Sequence, residues 1–226
     1  MTMRVTPDVA AALRGGTPVV ALESSVFAQG LPAPANRVLG SQSPDAKAAE
    51  PAHLRGRKPM ADELSIKVNG REQRVSASPD TPLLYVLTNE LELKGPKFGC
   101  GLAQCGSCSV LADGVEIRSC VTPLANVVGK SVTTLEGLGA WYAEQRKSAL
   151  ALHPLQQAFI DVEAPQCGYC TSGMIVKASE LLAKNPRPSD GEIRQAMNGH
   201  LCRCGTYPRV MQAIKLAARV MAGDVP

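Results

Sequence analysis

Apolar and polar residues alternate from Leu64 onward: Leu64, Ile66 and Val68 are separated by Ser65 and Lys67, and Val75 closes a second short stretch beyond Asn69-Gly70. A period of two marks a strand with one buried face, and Asn-Gly suits the two left-handed positions of a type I′ turn, so this segment predicts a β-hairpin. The period then changes. Leu83, Leu84, Leu87 and Leu91 recur at helical spacing behind Thr81 as N-cap and Pro82 at the first helical position, which predicts a core-facing helix. A second hairpin with Asp113-Gly114 at its turn is expected to end in Cys120. Beyond residue 153 the pattern is helical: Pro154 to Val162, Ser172 to Lys184, Ser189 to Met197 with Ser189 as N-cap and Gly199 past the end, and Tyr207 to Ala222. Gly137 to Leu152, with the only tryptophan, Trp141, and the run Glu144-Gln145-Arg146-Lys147, reads as an exposed connector in which Trp141 covers a crevice.

A chain of 226 residues with 45% hydrophobic content is long enough for one or two domains with buried cores. It has no run of 18 apolar residues, which predicts no membrane-spanning helix. The formal charge of +4 is scattered and aromatics make up only 4%, so no basic, aromatic-laced stripe suggests nucleic-acid binding. With no export signal in the chain, the expected location is the cytoplasm, or the periplasm if a partner carries it there. Residues 1–59 fall outside the pattern, and Arg37 to Pro59, rich in Ala, Pro, Ser and charge, reads as a flexible linker before a natural start at Met60.

The chemistry lies in the cysteines. Cys100, Cys105, Cys108 and Cys120 are separated by four, two and eleven residues, the loop spacing of a plant-type ferredoxin in which four thiolates hold a [2Fe-2S] cluster. Gly99, Gly101 and Gly106 let such a loop turn tightly and bring N–H groups toward sulfur. A second set follows: Cys167 and Cys170 in Gln-Cys-Gly-Tyr-Cys, then, after 31 residues, Cys202 and Cys204 in His-Leu-Cys-Arg-Cys-Gly. Eight cysteines therefore divide into two complete four-ligand sets. Four disulfides would suit a secreted chain, for which no signal is present, and structural zinc has less against it in the second set than in the first.

These two sets, with the run Pro-Lys-Phe-Gly-Cys-Gly-Leu-Ala-Gln-Cys-Gly and Thr-Thr-Leu-Glu-Gly-Leu-Gly at 133–139, resemble the small iron-sulfur subunits of the xanthine dehydrogenase family of molybdenum hydroxylases, of the nicotinate dehydrogenase and isoquinoline 1-oxidoreductase type. The resemblance covers residues 62 to 222. It implies an α+β chain divided into a leader and linker at 1–59, a β-grasp ferredoxin-like domain at 60–137, a connector at 138–152 and a four-helix [2Fe-2S] domain at 153–226. It also implies a large partner subunit holding a molybdopterin cofactor, to which Gln166 would hydrogen-bond, with Cys204 the ligand nearest the pterin. During hydroxylation of an N-heterocycle or oxidation of an aldehyde, electrons would pass from molybdenum through the helical-domain cluster, then the ferredoxin-domain cluster, to a flavin or cytochrome subunit. Arg203 reads either as screening cluster charge or as an exposed cation, His200 as a packed neighbour rather than a ligand, and His53 and His153 have no partner pattern.

Two other classes fit less well. A free two-cluster ferredoxin is usually strongly acidic, against the +4 here. Residues 7–37 resemble the N-terminal edge of pseudouridine-5'-phosphate glycosidase, with Glu23 at the position of an active-site acid, but that stretch is too short to build an active site.

Overall fold

A computed structural model describes residues 64–224. The readings of the leader, Glu23, His53 and Met60 lie outside these residues. The described part begins with the expected hairpin, β1 (Leu64–Val68) and β2 (Arg71–Val75), turned by Asn69 and Gly70 at φ 50° and 79°. β3 (Ser109–Ala112) and β4 (Val115–Arg118) form the second hairpin, turned by Asp113 and Gly114. A short strand, β5 (Ser131–Thr133), joins them into one mixed sheet in the order β2-β1-β5-β3-β4. β5 runs parallel to β1 and antiparallel to β3. Asn69 ties the first hairpin to β5: its side-chain Oδ1 accepts the Thr134 N–H at 2.9 Å, and its backbone N–H donates to Val132 O at 2.8 Å.

All four residues of β3 are buried, as expected of a strand covered on both faces. Val110 joins Ile66, Val68, Val75, Leu83, Val86, Leu87, Leu124, Val127 and Val132 in one apolar core, whereas Leu111 belongs to the core of the helical half. Helix α1 (Leu83–Tyr85) opens into a wider turn over Val86–Glu90, closed by Leu91 N–H on Val86 O. Its start differs from the expectation of a Thr81 cap and a helical Pro82. Pro82 is extended at ψ 130°, bridging to Pro123, and the first helical N–H groups of Leu83 and Leu84 donate to Thr122 O and Ser119 O. The orphan donors of the helix are thus satisfied by the chain around Cys120 and need no side-chain cap.

The stretch expected to be an exposed connector contains a helix, α2 (Leu138–Arg146), with Leu138 and Tyr142 buried. Its charged end, Glu144 to Lys147, is exposed as read. Four helices follow: α3 (Pro154–Asp161), α4 (Thr171–Lys184), α5 (Asp190–Ala196) and α6 (Tyr207–Ala222). Helix α4 packs on β3 and against the other three, and its buried residues lie on several faces, Met174, Ile175, Val176, Ala178 and Leu182 among them. α6 is one-sided, burying Val210, Ala213, Ile214, Ala217 and Ala218 at steps of three and four residues. α5 starts with a capping box in which Ser189 Oγ accepts from Glu192 N and the Glu192 carboxylate accepts from Ser189 N. His153, which showed no partner pattern in the sequence, caps α3: its Nδ1 accepts the Leu155 N–H at 3.0 Å, and its ring is fully buried against Trp141 and Tyr142.

Candidate metal centres

All eight cysteines are free thiols. The loop from Gly99 to Cys108 folds back on itself because left-handed residues recur in it, Gly101, Ala103 and Gly106 at φ 67°, 59° and 78°. The turn aims backbone donors at sulfur: Leu102, Gln104 and Cys105 N–H groups lie 3.3, 3.2 and 3.3 Å from Cys100 Sγ, and Cys100 N–H lies 3.4 Å from Cys105 Sγ. Gly99 cannot carry a side chain there, since a Cβ would stand 2.6 Å from Cys105 Sγ. Cys108 and Cys120 are buried with Leu84 on the inner side of the loop. Their two strands are held by Ser119 Oγ donating to Cys108 O at 2.6 Å.

Acidity differs sharply within this set. Burial alone would raise the Cys100 thiol, but the three backbone N–H groups and Cys105 outweigh it and bring it down to about 7. Burial pushes Cys108 up to about 12, with the facing Cys120 thiol adding to the shift. A bound cation would displace the protons from Cys100 and Cys108, and the N–H groups already in place at Cys100 favour its thiolate.

The second set is built at the ends of helices. Cys170 occupies the N-cap position of α4, with the exposed Cys167 just before it. Cys202 and Cys204 lie in the turn before α6, where Cys202 N–H donates to the Tyr207 hydroxyl at 2.8 Å and Thr206 Oγ1 sits 3.4 Å from Cys202 Sγ. Cys202 repeats the pattern of Cys100: burial raises it, but the Thr206 hydroxyl and backbone and Cys170 outweigh this and lower it to about 7, while Cys170 is pushed up to about 12 by burial.

The thiols influence one another within each set: Cys108 feels Cys105 and Cys120, and Cys100 feels Cys105, in the first; Cys170 feels Cys202 and Cys167, and Cys204 feels Cys167 and Cys202, in the second. Among the described residues no three His, Cys, Asp or Glu side chains gather around a single ion. The four thiols of each set would supply the four ligands of a [2Fe-2S] cluster. Two buried polar atoms beside the second set also lack a protein partner, Ser172 Oγ, two residues past Cys170, and His200 Nδ1, two before Cys202. The residues present fit the group.

The remaining expected residues lie beside the second set in the sequence. Gln166 is exposed next to Cys167, and Arg203 is exposed between two cysteines. His200 is buried, as a packed neighbour should be, and Arg118 Nη1 lies 2.9 Å from its Nε2. A guanidinium only donates, so Nε2 accepts and the imidazole proton resides on Nδ1. Burial first, then the charges of Arg118 and Lys177, hold its pKa down to about 3.

The two loops meet closely. Leu201 N–H donates to Cys105 O at 2.9 Å, and the Tyr169 hydroxyl donates to Phe98 O. Arg118, Ser109 and Glu116, which no sequence pattern marked, form a polar cluster at the same junction.

Comparison with known proteins supplies the class and then the family. Residues 66–128 match the 2Fe-2S iron-sulfur cluster binding domain and residues 134–215 the [2Fe-2S] binding domain, so the chain is a protein of two [2Fe-2S] clusters. It is 53% identical over 159 residues to one of the subunits of the nicotinate dehydrogenase of Pseudomonas putida, covering 70% of this chain and 96% of that one. To the alpha chain of the isoquinoline 1-oxidoreductase of Brevundimonas diminuta it is 51% identical over 160 residues, covering 70% and 99%. Among solved structures, aldehyde oxidoreductase from Desulfovibrio gigas matches with a TM-score of 0.65 and 39% identity over 73% of this chain and 18% of that chain. Quinoline 2-oxidoreductase from Pseudomonas putida 86 matches with a TM-score of 0.63 and 37% identity, over 72% and 98%. The chain belongs to the small iron-sulfur subunits of the molybdenum hydroxylases. It is an electron-transfer subunit of an oxidoreductase. Among the described residues no helix is long and apolar enough to cross a membrane.

Proposed function

We propose that Cys100, Cys105, Cys108 and Cys120 hold one [2Fe-2S] cluster in a β-grasp ferredoxin-like domain, and that Cys167, Cys170, Cys202 and Cys204 hold the other in a four-helix bundle. The observation that carries this reading is that the four thiols of each set lie close enough to influence one another, Cys100, Cys105, Cys108 and Cys120 in one and Cys167, Cys170, Cys202 and Cys204 in the other, the first around a loop that already aims backbone N–H groups at Cys100 Sγ. The clusters supply one-electron transfer and, with every coordination position filled, no site for substrate.

The residues around them orient and insulate. The N–H groups of Leu102, Gln104 and Cys105 stabilise the Cys100 thiolate, and Leu84 keeps water from Cys108 and Cys120. Thr206 performs the first task for Cys202. The Cys105 O to Leu201 N–H bond joins the backbone of a ligand in one set to the residue before a ligand in the other. Exposed Cys167 and Gln166 are the side offered to the large subunit, where the Gln166 amide, donor and acceptor together, meets the pterin. The order of transfer is then helical-domain cluster first, ferredoxin-domain cluster second.

The substrate class is an N-heterocycle, for which the support is the 53% and 51% identity to subunits of a nicotinate dehydrogenase and an isoquinoline oxidoreductase. Purification under native conditions tests the assembly. The chain should elute with a much larger molybdenum-containing protein that oxidises such heterocycles. Elution alone, with both clusters and with electrons passed to several unrelated acceptors, would favour a free carrier instead.

A further inference from the structure

We propose that Arg118 is a positioning residue for electron transfer: it fixes the separation and orientation of the two cysteine sets by fastening the strand that leads into Cys120 to the loop that leads into Cys202. This rests on the reading that both sets hold clusters. Arg118 ends β4, two residues before Cys120. Its Nη1 donates to Ser109 Oγ at 2.6 Å and pairs with Glu116 Oε1 at 2.9 Å, both on the hairpin, and Ser109 follows Cys108 directly. The same Nη1 donates to His200 Nε2 at 2.9 Å, while Nη2 donates to Gly199 O at 3.2 Å, both on the segment before Cys202. One planar side chain, itself two residues before Cys120, therefore touches the residue after Cys108 and the segment before Cys202.

The geometry constrains direction as well as distance. The two Nη groups form a rigid fork, and with one prong on the His200 ring and the other on the Gly199 carbonyl the loop cannot rotate about either bond. The His200 ring is held as a single tautomer, because Nε2 must accept. Ser109 contributes a single hydrogen, accepting from Arg118 and donating to Gly106 O at 2.7 Å or Glu116 Oε1 at 2.6 Å, which ties the clamp to the loop between Cys105 and Cys108. Side-chain exposures of 17% for Arg118, 10% for Glu116 and 1% for His200 leave little water to compete. The space is also closed to alternatives, since a Cβ on Gly106 would meet His200 Cδ2 at 2.4 Å and Arg118 Nη1 at 2.5 Å. Tunnelling between redox centres falls steeply with distance and depends on the intervening bonds, so a loosened junction slows transfer even with both clusters in place.

The test uses the holoenzyme, reduced so that both clusters are paramagnetic, with iron content measured alongside. Two paramagnetic centres held near each other split each other's electron paramagnetic resonance lines at low temperature, and the splitting reports their separation and orientation. In Arg118→Met, iron and both signals should be retained, while the splitting is lost or smeared and inter-cluster transfer slows. Arg118→Lys keeps the charge but has no fork, and should fall between the two. Wild-type splitting in an iron-replete Arg118→Met protein would overturn the proposal. If Arg118→Met does not load iron, Arg118→Lys decides: altered splitting supports the clamp and wild-type splitting overturns it. Loss of clusters from both variants overturns it too, by making Arg118 a folding residue. A wild-type enzyme with fewer than two cluster signals would instead overturn the cluster reading on which the proposal stands.

Discussion

Gly173 lies against Gly106 with no space between them: a Cβ on Gly173 would stand 2.0 Å from the Gly106 carbonyl oxygen and 3.2 Å from Ser107 Cα. One glycine is in the first turn of α4 beside Cys170, and the other is in the loop between Cys105 and Cys108. The helical half and the sheet thus touch backbone to backbone next to both cysteine sets. Gly173→Ala should be strongly destabilising, by about 1–3 kcal/mol or more, because no side-chain rotation relieves a clash with main chain. Iron bound per chain and solubility check this. A soluble Gly173→Ala protein with wild-type iron would show that the loop yields.

Gly191 is the opposite case. In α5 its Cβ would meet nothing nearer than Ser189 Oγ at 3.9 Å, and its φ is not left-handed. Gly191→Ala should therefore stabilise the protein by about 0.5–1 kcal/mol through the unfolded chain, raising Tm by about 1–4 °C. Thermal unfolding followed by helix signal measures it.

His153 gives the protein an acid sensitivity. Burial lowers its pKa from 6.5 to about 4, so the unfolded chain takes up a proton in this interval that the folded one refuses. Stability from this group is fully present above pH 6.5, falls by about 1.4 kcal/mol per pH unit below it, and levels off near pH 4 after a loss of about 3 kcal/mol. Protonation also destroys the cap, since Nδ1 is the atom accepting the Leu155 N–H. His153→Asn retains a capping acceptor without the titration. Its stability between pH 7 and 5 should slope less steeply than wild type, and parallel slopes would show that other groups account for the loss.

Much of this was legible in the chain because local chemistry and tertiary structure agree. Asn69-Gly70 and Asp113-Gly114 turn where their left-handed tolerance requires, Ser189 caps α5, and α6 runs from Tyr207 to Ala222 as its apolar spacing and the following Gly223 indicate. Misses arose where a distant partner did the work. Thr81 has the chemistry of a cap, but Ser119 and Thr122 carbonyls supply what the helix start needs. Residues 138–146 have the polarity of a connector, but Leu138 and Tyr142 have cores to enter. His153 caps with an imidazole, outside the usual Ser, Thr, Asp and Asn. The Arg118 and His200 contact joins positions 82 apart, and neither residue carries a local pattern that announces the other.

The order of the clusters makes its own prediction. In single turnover with substrate, the Cys105→Ser enzyme should still show the helical-domain cluster reduced, whereas in Cys204→Ser neither cluster should be reduced in the normal time. Iron content must first show that each replacement removed only its own cluster. A ferredoxin-domain cluster reduced at normal speed in an assembled enzyme lacking the helical-domain cluster would reverse the proposed path.

The central claim, two [2Fe-2S] clusters on eight thiols in two sets of four, is tested most directly by metal and sulfide analysis of anaerobically purified protein, with electron paramagnetic resonance after reduction. The account predicts about four iron and about four acid-labile sulfide per chain and two distinct cluster signals. Stoichiometric zinc without sulfide, or a single cluster signal with half that iron, would contradict it.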